Sequence, residues 1–165
     1  NVTQGSTQAV TVRVGTTIFY AIDADVANGV LDLRVAGSVS TGATIDIVMP
    51  NLTDLEATGT GNVAISGFNN LTDLDVEVTG TTEVTISSSS VTDFDCVVSG
   101  SGNIEAFGLS ATDVDADLTG TGNVSITVSG DLTGSISGLG SLSYKGTPAI
   151  IDVDVSGAGQ VVDAN

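Results

Sequence analysis

The sequence predicts an all-β protein, a single-stranded parallel β-helix with coils of about 20 residues. Three observations predict it. Position types recur at a fixed interval: Asp73, Asp93 and Asp113 are 20 residues apart, as are Asp75, Asp95 and Asp115, and Gly80, Gly100 and Gly120. Within each copy, apolar and polar residues alternate, which is the period of a half-buried strand. No stretch sustains a helical period. One copy of about 20 residues cannot bury its own apolar face, but copies stacked in register can, and the stacking pairs every strand with its neighbours. A β-sandwich also has short strands and regular turns, but the strict spacing favours the coil.

Each element follows in order. The first 30 residues include Ile18-Phe19-Tyr20-Ala21-Ile22 and are apolar enough to cover an end of the coil stack or to reach a neighbour. They form N-terminal strands or a cap (1–30), and the repeat coils occupy 31–165, within one domain of 1–165. An upstream copy begins as LDLRVAG at 31–37. The copy NLTDLEATGTGNVAI at 51–65 puts Asp54 and Glu56 in the roles of the paired aspartates, with a shorter strand. In LTDLDVEVTG, Leu74, Val76 and Val78 point one way and Asp73, Asp75 and Glu77 the other. On the same parity Phe94, Val114, Cys96 and Ala116 belong to the interior. After each glycine turn comes a second short strand: Val63-Ala64-Ile65, Val84-Thr85-Ile86, Ile104-Glu105-Ala106 and Val124-Ser125-Ile126. IDVDVSGAGQVV at 151–162 is the last, looser copy, and its pattern leaves an edge on which another strand could add.

Composition narrows the partners. The chain has 165 residues, enough for one domain with a core, and carries 20 acidic against 3 basic residues, a formal charge of −17. Arg13, Arg34 and Lys145 cannot make a basic patch, which excludes nucleic acid and anionic membrane surfaces. No run approaches the ~20 apolar residues of a spanning helix, so no membrane insertion is expected. There is no His, and Cys96 is the one cysteine. That removes an intrachain disulfide and the usual zinc, iron and copper sites. No signal peptide is evident, which fits a start at Asn1 left by trimming.

The GTGN and SGSGN turns each introduce a short strand. With NGVLDLRV at 28–35 and the closing GLGSLSYKGTP…VSGAG at 138–159, they resemble the head GIN domain family, described as a putative auto-transporter adhesin. The resemblance covers most of the chain. It implies a right-handed parallel β-helix at the cell surface or outside the cell, and it brings no catalytic motif.

In the coil model, Asp54, Asp73, Asp93 and Asp113 stack as one ladder and Glu56, Asp75, Asp95 and Asp115 as a second on the same face. Rungs ~4.8 Å apart set carboxylates against each other at roughly 1 kcal/mol per pair in water. Aligning Leu33 with Leu55 brings Arg34 beside Glu56, which relieves one end. The rest calls for cations or a salty medium. Calcium takes oxygen ligands, so Asp73, Asp75, Asp93, Asp95, Asp113 and Asp115 are its candidate ligands. No cofactor is required, and the competing reading is a solvated acidic face that keeps the chain soluble.

Catalysis is not expected. Paired carboxylates can do acid/base work, but here they repeat along a strand instead of converging. The GTGN turns lack the Lys-Ser/Thr of a phosphate loop and serve turn geometry, with Asn62, Asn103 and Asn123 as a possible turn ladder. Tyr144 and Lys145 fall at the closing turn, and Phe107 is the outward aromatic of the clear repeats. Outward Ser and Thr show no regular Thr-x-Thr array, which disfavours ice as a ligand. Asn1, Asn51, Asn70 and Asn123 open N-x-S/T sequons; Asn51 and Asn70, just before the acidic strand, are the candidates for a sugar.

Two functions remain. One is a non-enzymatic extracellular structural module that self-assembles into a surface fibre, sheath or coat. The other is an adhesin-like module for a glycan or cell-surface ligand, with cations such as calcium assisting.

Overall fold

The computed structural model describes residues 1–13, 21–36 and 43–165. It is a parallel β-solenoid of about six turns. Each turn contributes one strand to an acidic side and one to a second side. The acidic side is β6 (Asp54–Gly59), β8 (Leu71–Gly80), β10 (Ser89–Gly100), the later half of β11 (Asn103–Gly120), β13 (Asp131–Ile136) and β15 (Ile150–Val155). The second side is β7 (Asn62–Ser66), β9 (Glu83–Ser87), the start of β11, β12 (Val124–Val128), β14 (Ser141–Gly146) and β16 (Gln160–Asp163). Every pairing between turns is parallel, which excludes the antiparallel sandwich.

The inward parity is as expected. Phe94 lies between Leu74 and Val114, and Cys96 between Val76 and Ala116. All six are at most 2% exposed. On the second side Val84, Ile86, Ile104, Ala106, Val124 and Ile126 are buried, while Val63 is half-buried near the N-terminal end. Burial pushes the Cys96 thiol well up, so it stays a protonated core group.

The turns are not identical. Asp54 pairs with Asp75, 21 residues on; Asp73, Asp93 and Asp113 keep intervals of 20. Val114 pairs with Leu132 at 18, and Leu132 with Ile151 at 19. The shortening has a visible cause. Ala106 faces Ile126, yet Ser110 faces Thr127, so Phe107, Gly108 and Leu109 have no counterpart in the next turn.

Glycine sets how closely turns approach. Gly80, Gly100 and Gly120 stack at φ of 110°, 147° and 138°. A Cβ on Gly100 would stand 2.6 Å from the Gly80 carbonyl oxygen, and one on Gly120 2.2 Å from that of Gly100. Only a residue without a side chain fits both the backbone conformation and the spacing.

The N-terminal strands correct the sequence reading. β1 (Val2–Gln4) inserts in parallel between β7 and β5 (Thr44–Met49), and β2 (Ala9–Arg13) adds antiparallel on β5. The LDLRVAG segment is not a coil. It supplies β4 (Val30–Ala36), which pairs antiparallel with β3 (Ala21–Ala27) in a sheet of two. The strand at 30–36 is therefore not stacked on a coil strand, and the parallel strands of the acidic side begin with β6 at Asp54. The reason is the Asn28-Gly29 pair, at φ 53° and 84°, which suits a two-residue hairpin turn between alternating strands. Ala9 faces Val48, Arg13 faces Thr44, Ala21 faces Ala36 and Ala27 faces Val30, so both antiparallel pairs keep one register. Of Ile18-Phe19-Tyr20-Ala21-Ile22, the first three lie outside the described residues, and Ala21 and Ile22 open β3.

Phe94→Ala removes a ring that is 1% exposed and should cost ~3–5 kcal/mol. Gly100→Ala should cost more than ~1 kcal/mol, because its strain lies in the backbone. Chemical denaturation of both variants checks this; a wild-type midpoint for Gly100→Ala would mean that the glycine column does not set the turn spacing.

Candidate functional site

The acidic face is built by the outward parity of β6, β8, β10, β11, β13 and β15. The register differs from the sequence reading at its first rung. Asp54 stands on Asp75, not Asp73, and Glu56 on Glu77, because the first interval is 21 residues. One ladder is therefore Asp54, Asp75, Asp95 and Asp115, continued by Thr133 and Asp152. Beside it run Glu56, Glu77, Val97, Asp117, Ser135 and Asp154 on one flank and Asp73, Asp93 and Asp113 on the other.

The countercharge expected from Arg34 is not there. Arg34 donates to Asp32 of its own strand, and Arg13 pairs with Asp46. Asp46 lies below the usual carboxylate range because the Asn1 amide donates to it and Arg13 stands beside it. Lys145 sits 4.3 Å from the centre of the Phe107 ring. Among the described residues, no cation faces the ladders. Toward the C-terminal end hydroxyls replace carboxylates: Thr133 Oγ1 donates to Asp115 at 3.2 Å and Ser135 Oγ to Asp117 at 2.6 Å. Asp113 Oδ1 accepts the Asp131 backbone N–H at 2.7 Å.

Among the described residues, none donates such a hydrogen bond to Asp95, in the middle. Burial, then the carboxylates of Asp75, Asp115, Asp93 and Asp73, push its carboxyl above the ordinary aspartate range. A carboxyl raised in the folded state favours folding when protonated. Its contribution is complete below the unfolded value of ~3.9 and is lost as pH rises through the folded one.

The six calcium candidates, Asp73, Asp75, Asp93, Asp95, Asp113 and Asp115, share this face, but they lie in rows. Among the described residues no three acidic side chains gather closely enough to hold one ion. Asp23, Asp25, Asp32 and Arg34 line a shallow depression on the β3–β4 hairpin, away from the ladders in sequence. Asn51 and Asn70 are exposed ahead of β6 and β8, and Asn70 takes a left-handed φ of 58°.

The turns hold two features. Asn103 Oδ1 accepts from the Asn123 backbone and side-chain N–H groups at 2.9 and 3.2 Å, and Asn123 Oδ1 accepts from the Ser141 N–H at 3.1 Å. The asparagine ladder exists, but Glu83 separates Asn62 from Asn103. Sequence reasoning missed the second feature. Thr58, Thr79, Ser99 and Thr119 form a hydroxyl column beside the glycines. On their other side the Thr60 and Thr81 hydroxyls meet at 3.0 Å, and those of Ser101 and Thr121 at 2.9 Å. The repeated S/T-G-S/T triplet was its signal. Tyr144 and Lys145 lie in strand β14 and not in a turn, with Tyr144 opposite Ile126.

A family model covers residues 1–148. The chain belongs to the family described as putative auto-transporter adhesin, head GIN domain. Solved relatives share the fold of this head GIN domain. A putative adhesin of Bacteroides fragilis is 22% identical, with a TM-score of 0.66 over 97% of this chain and 85% of that one. A putative lipid-binding protein of Parabacteroides distasonis is 16% identical, with a TM-score of 0.54 over 98% and 87%. No curated protein matches the sequence. Among the described residues no helix is long and apolar enough to cross a membrane.

Asp95→Asn should raise the melting temperature at pH 7, and the gain should fade as pH drops toward ~4. Thermal denaturation of both proteins across that range measures it. A gain that persists unchanged in acid would place the stress elsewhere than in the Asp95 charge.

Proposed function

We propose that the chain is a non-enzymatic adhesin-like module, displayed at the cell surface or outside the cell, whose acidic solenoid face meets a glycan or other surface ligand through cations. Family membership supports the adhesin role. The observation that carries the cation step is the run of in-register carboxylates with no basic side chain facing them among the described residues. Such a face gathers counterions. Calcium can bridge a carboxylate of the face to an acidic group of the ligand, with water completing its shell of six to eight oxygens. The side chains stand in rows, so affinity for the ion alone is low and the ligand supplies part of the coordination. Copies assembled in a fibre, sheath or coat would repeat this face.

Binding to an immobilised acidic polysaccharide, such as polygalacturonate, tests the reading. Roughly millimolar calcium should promote retention, a chelator should abolish it, and sodium at equal ionic strength should not replace it. Replacing Asp75, Asp95 and Asp115 by Asn should cut retention at least about tenfold, the equivalent of ~1.4 kcal/mol. Retention that ignores both calcium and these substitutions would remove the acidic face from the function.

A further inference from the structure

We propose that the β3–β4 hairpin pairs edge to edge with the same hairpin of a second copy, strand β4 against strand β4. The inference rests on the hairpin alone and is independent of the acidic face of the solenoid.

The hairpin is a two-stranded sheet separate from that of the solenoid, and among the described residues nothing pairs with the outer edge of either strand. Two strands alone are marginal in water; a third or fourth with a shared apolar face makes a stable sheet. One face is apolar, with Ile22 opposite Val35, Ala24 opposite Leu33 and Val26 opposite Leu31. Val26 is 70% exposed and Val35 45%. The other face sets Asp23 opposite Arg34 and Asp25 opposite Asp32. The second of these is a like-charge pair, which weakens a hairpin. Three carboxylates there share one guanidinium.

The sequence of β4, VLDLRVA, is complementary to itself about Leu33. In an antiparallel pair centred there, Leu33 faces Leu33 of the partner subunit. Asp32 then faces Arg34 of the partner subunit, and Arg34 faces Asp32 of the partner subunit. Leu31 and Val35 exchange in the same way on the apolar face. Each row of the polar face becomes Asp25, Asp32, Arg34 of the partner subunit and Asp23 of the partner subunit. Every guanidinium then stands between carboxylates. The apolar side chains of the two hairpins join in one strip.

Neighbouring registers of the self-paired strands fail on charge or on facing. Centring β4 on Asp32 or on Arg34 opposes like charges. A shift by half a step puts apolar side chains on the polar face. The β3 edge, AIDADVA, has no basic residue, and self-pairing about Ala24 sets Asp23 against Asp25 of the partner subunit. The contact is isologous, so it closes as a dimer and does not propagate into a fibre. It is smaller than a standard interface of ~1,600 Å², so it forms at high protein concentration and is sensitive to salt.

Sedimentation of the full chain over a concentration series tests this. The expected result is a monomer–dimer equilibrium, weakened at least about tenfold by Arg34→Asp, which sets carboxylate against carboxylate at both positions. The double exchange Asp32→Arg with Arg34→Asp keeps the self-complementarity and should restore dimerisation. Under mild oxidation Leu33→Cys should cross-link across the two-fold, whereas Val26→Cys should not; Cys96 is buried and does not compete. Circular dichroism of each variant confirms that the solenoid is folded. A strict monomer, a dimer indifferent to Arg34→Asp, or equal cross-linking at both cysteines would overturn the proposal. So would a hairpin that binds vesicles or a basic peptide while the chain stays monomeric.

Discussion

In this solenoid each turn lies on the next at the distance of one backbone hydrogen bond, and everything else adapts to that spacing. Strands of successive turns are ~4.8 Å apart. Phe94 touches the levels of Leu74 and Val114 because the backbone holds it there. The stacked glycines at 80, 100 and 120 permit the same approach at the corner, where a methyl group would meet a carbonyl oxygen. The same spacing that packs the interior also brings outward side chains of equal type together. Asparagines gain by it, since Asn103 and Asn123 share hydrogen bonds. Aspartates lose by it.

The acidic face is the cost of a repeat that places one residue type at one position. Interior burial is large and continuous, with Leu74, Val114, Ala116 and Leu132 among the fully or nearly fully buried residues, so the fold tolerates repulsion at its surface. The repulsion is graded along the stack. At Asp95 burial and then four neighbouring carboxylates push the carboxyl up, whereas toward β13 Thr133 and Ser135 donate hydrogen bonds to Asp115 and Asp117. The cation-dependent contact proposed above would draw on this region of unpaired charge, held on a rigid solenoid.

Much of this was legible in the sequence, for a physical reason. A side chain every second residue and a turn every 20 are both short-period signals, so Leu74, Phe94, Cys96 and Ala116 could be placed in the core by counting. What counting missed were departures from the period. Asp54 pairs with Asp75 and not with Asp73, a shift of two residues that keeps the parity but moves the first rung, although Asp54-Leu55-Glu56 matches Asp73-Leu74-Asp75 by residue type. LDLRVAG alternates as a coil strand does, and alternation does not tell a parallel neighbour from an antiparallel one. The Asn28-Gly29 turn carried that information and outweighed the resemblance of the strand to the repeats. For the acidic face, membership can be read from parity, but the lack of a facing countercharge among the described residues cannot, because Arg34 pairs with Asp32 and not with Glu56.

The account depends on turns held together by burial and backbone pairing against stacked like charges. The most direct measurement of that balance is the unfolding free energy of the intact chain as sodium chloride rises from low ionic strength to about 1 M, where the Debye length falls to ~3 Å, less than the distance between rungs. Stability should climb steadily over this range. A stability that stays flat or falls would contradict the register in which Asp75, Asp95 and Asp115 stand on one another.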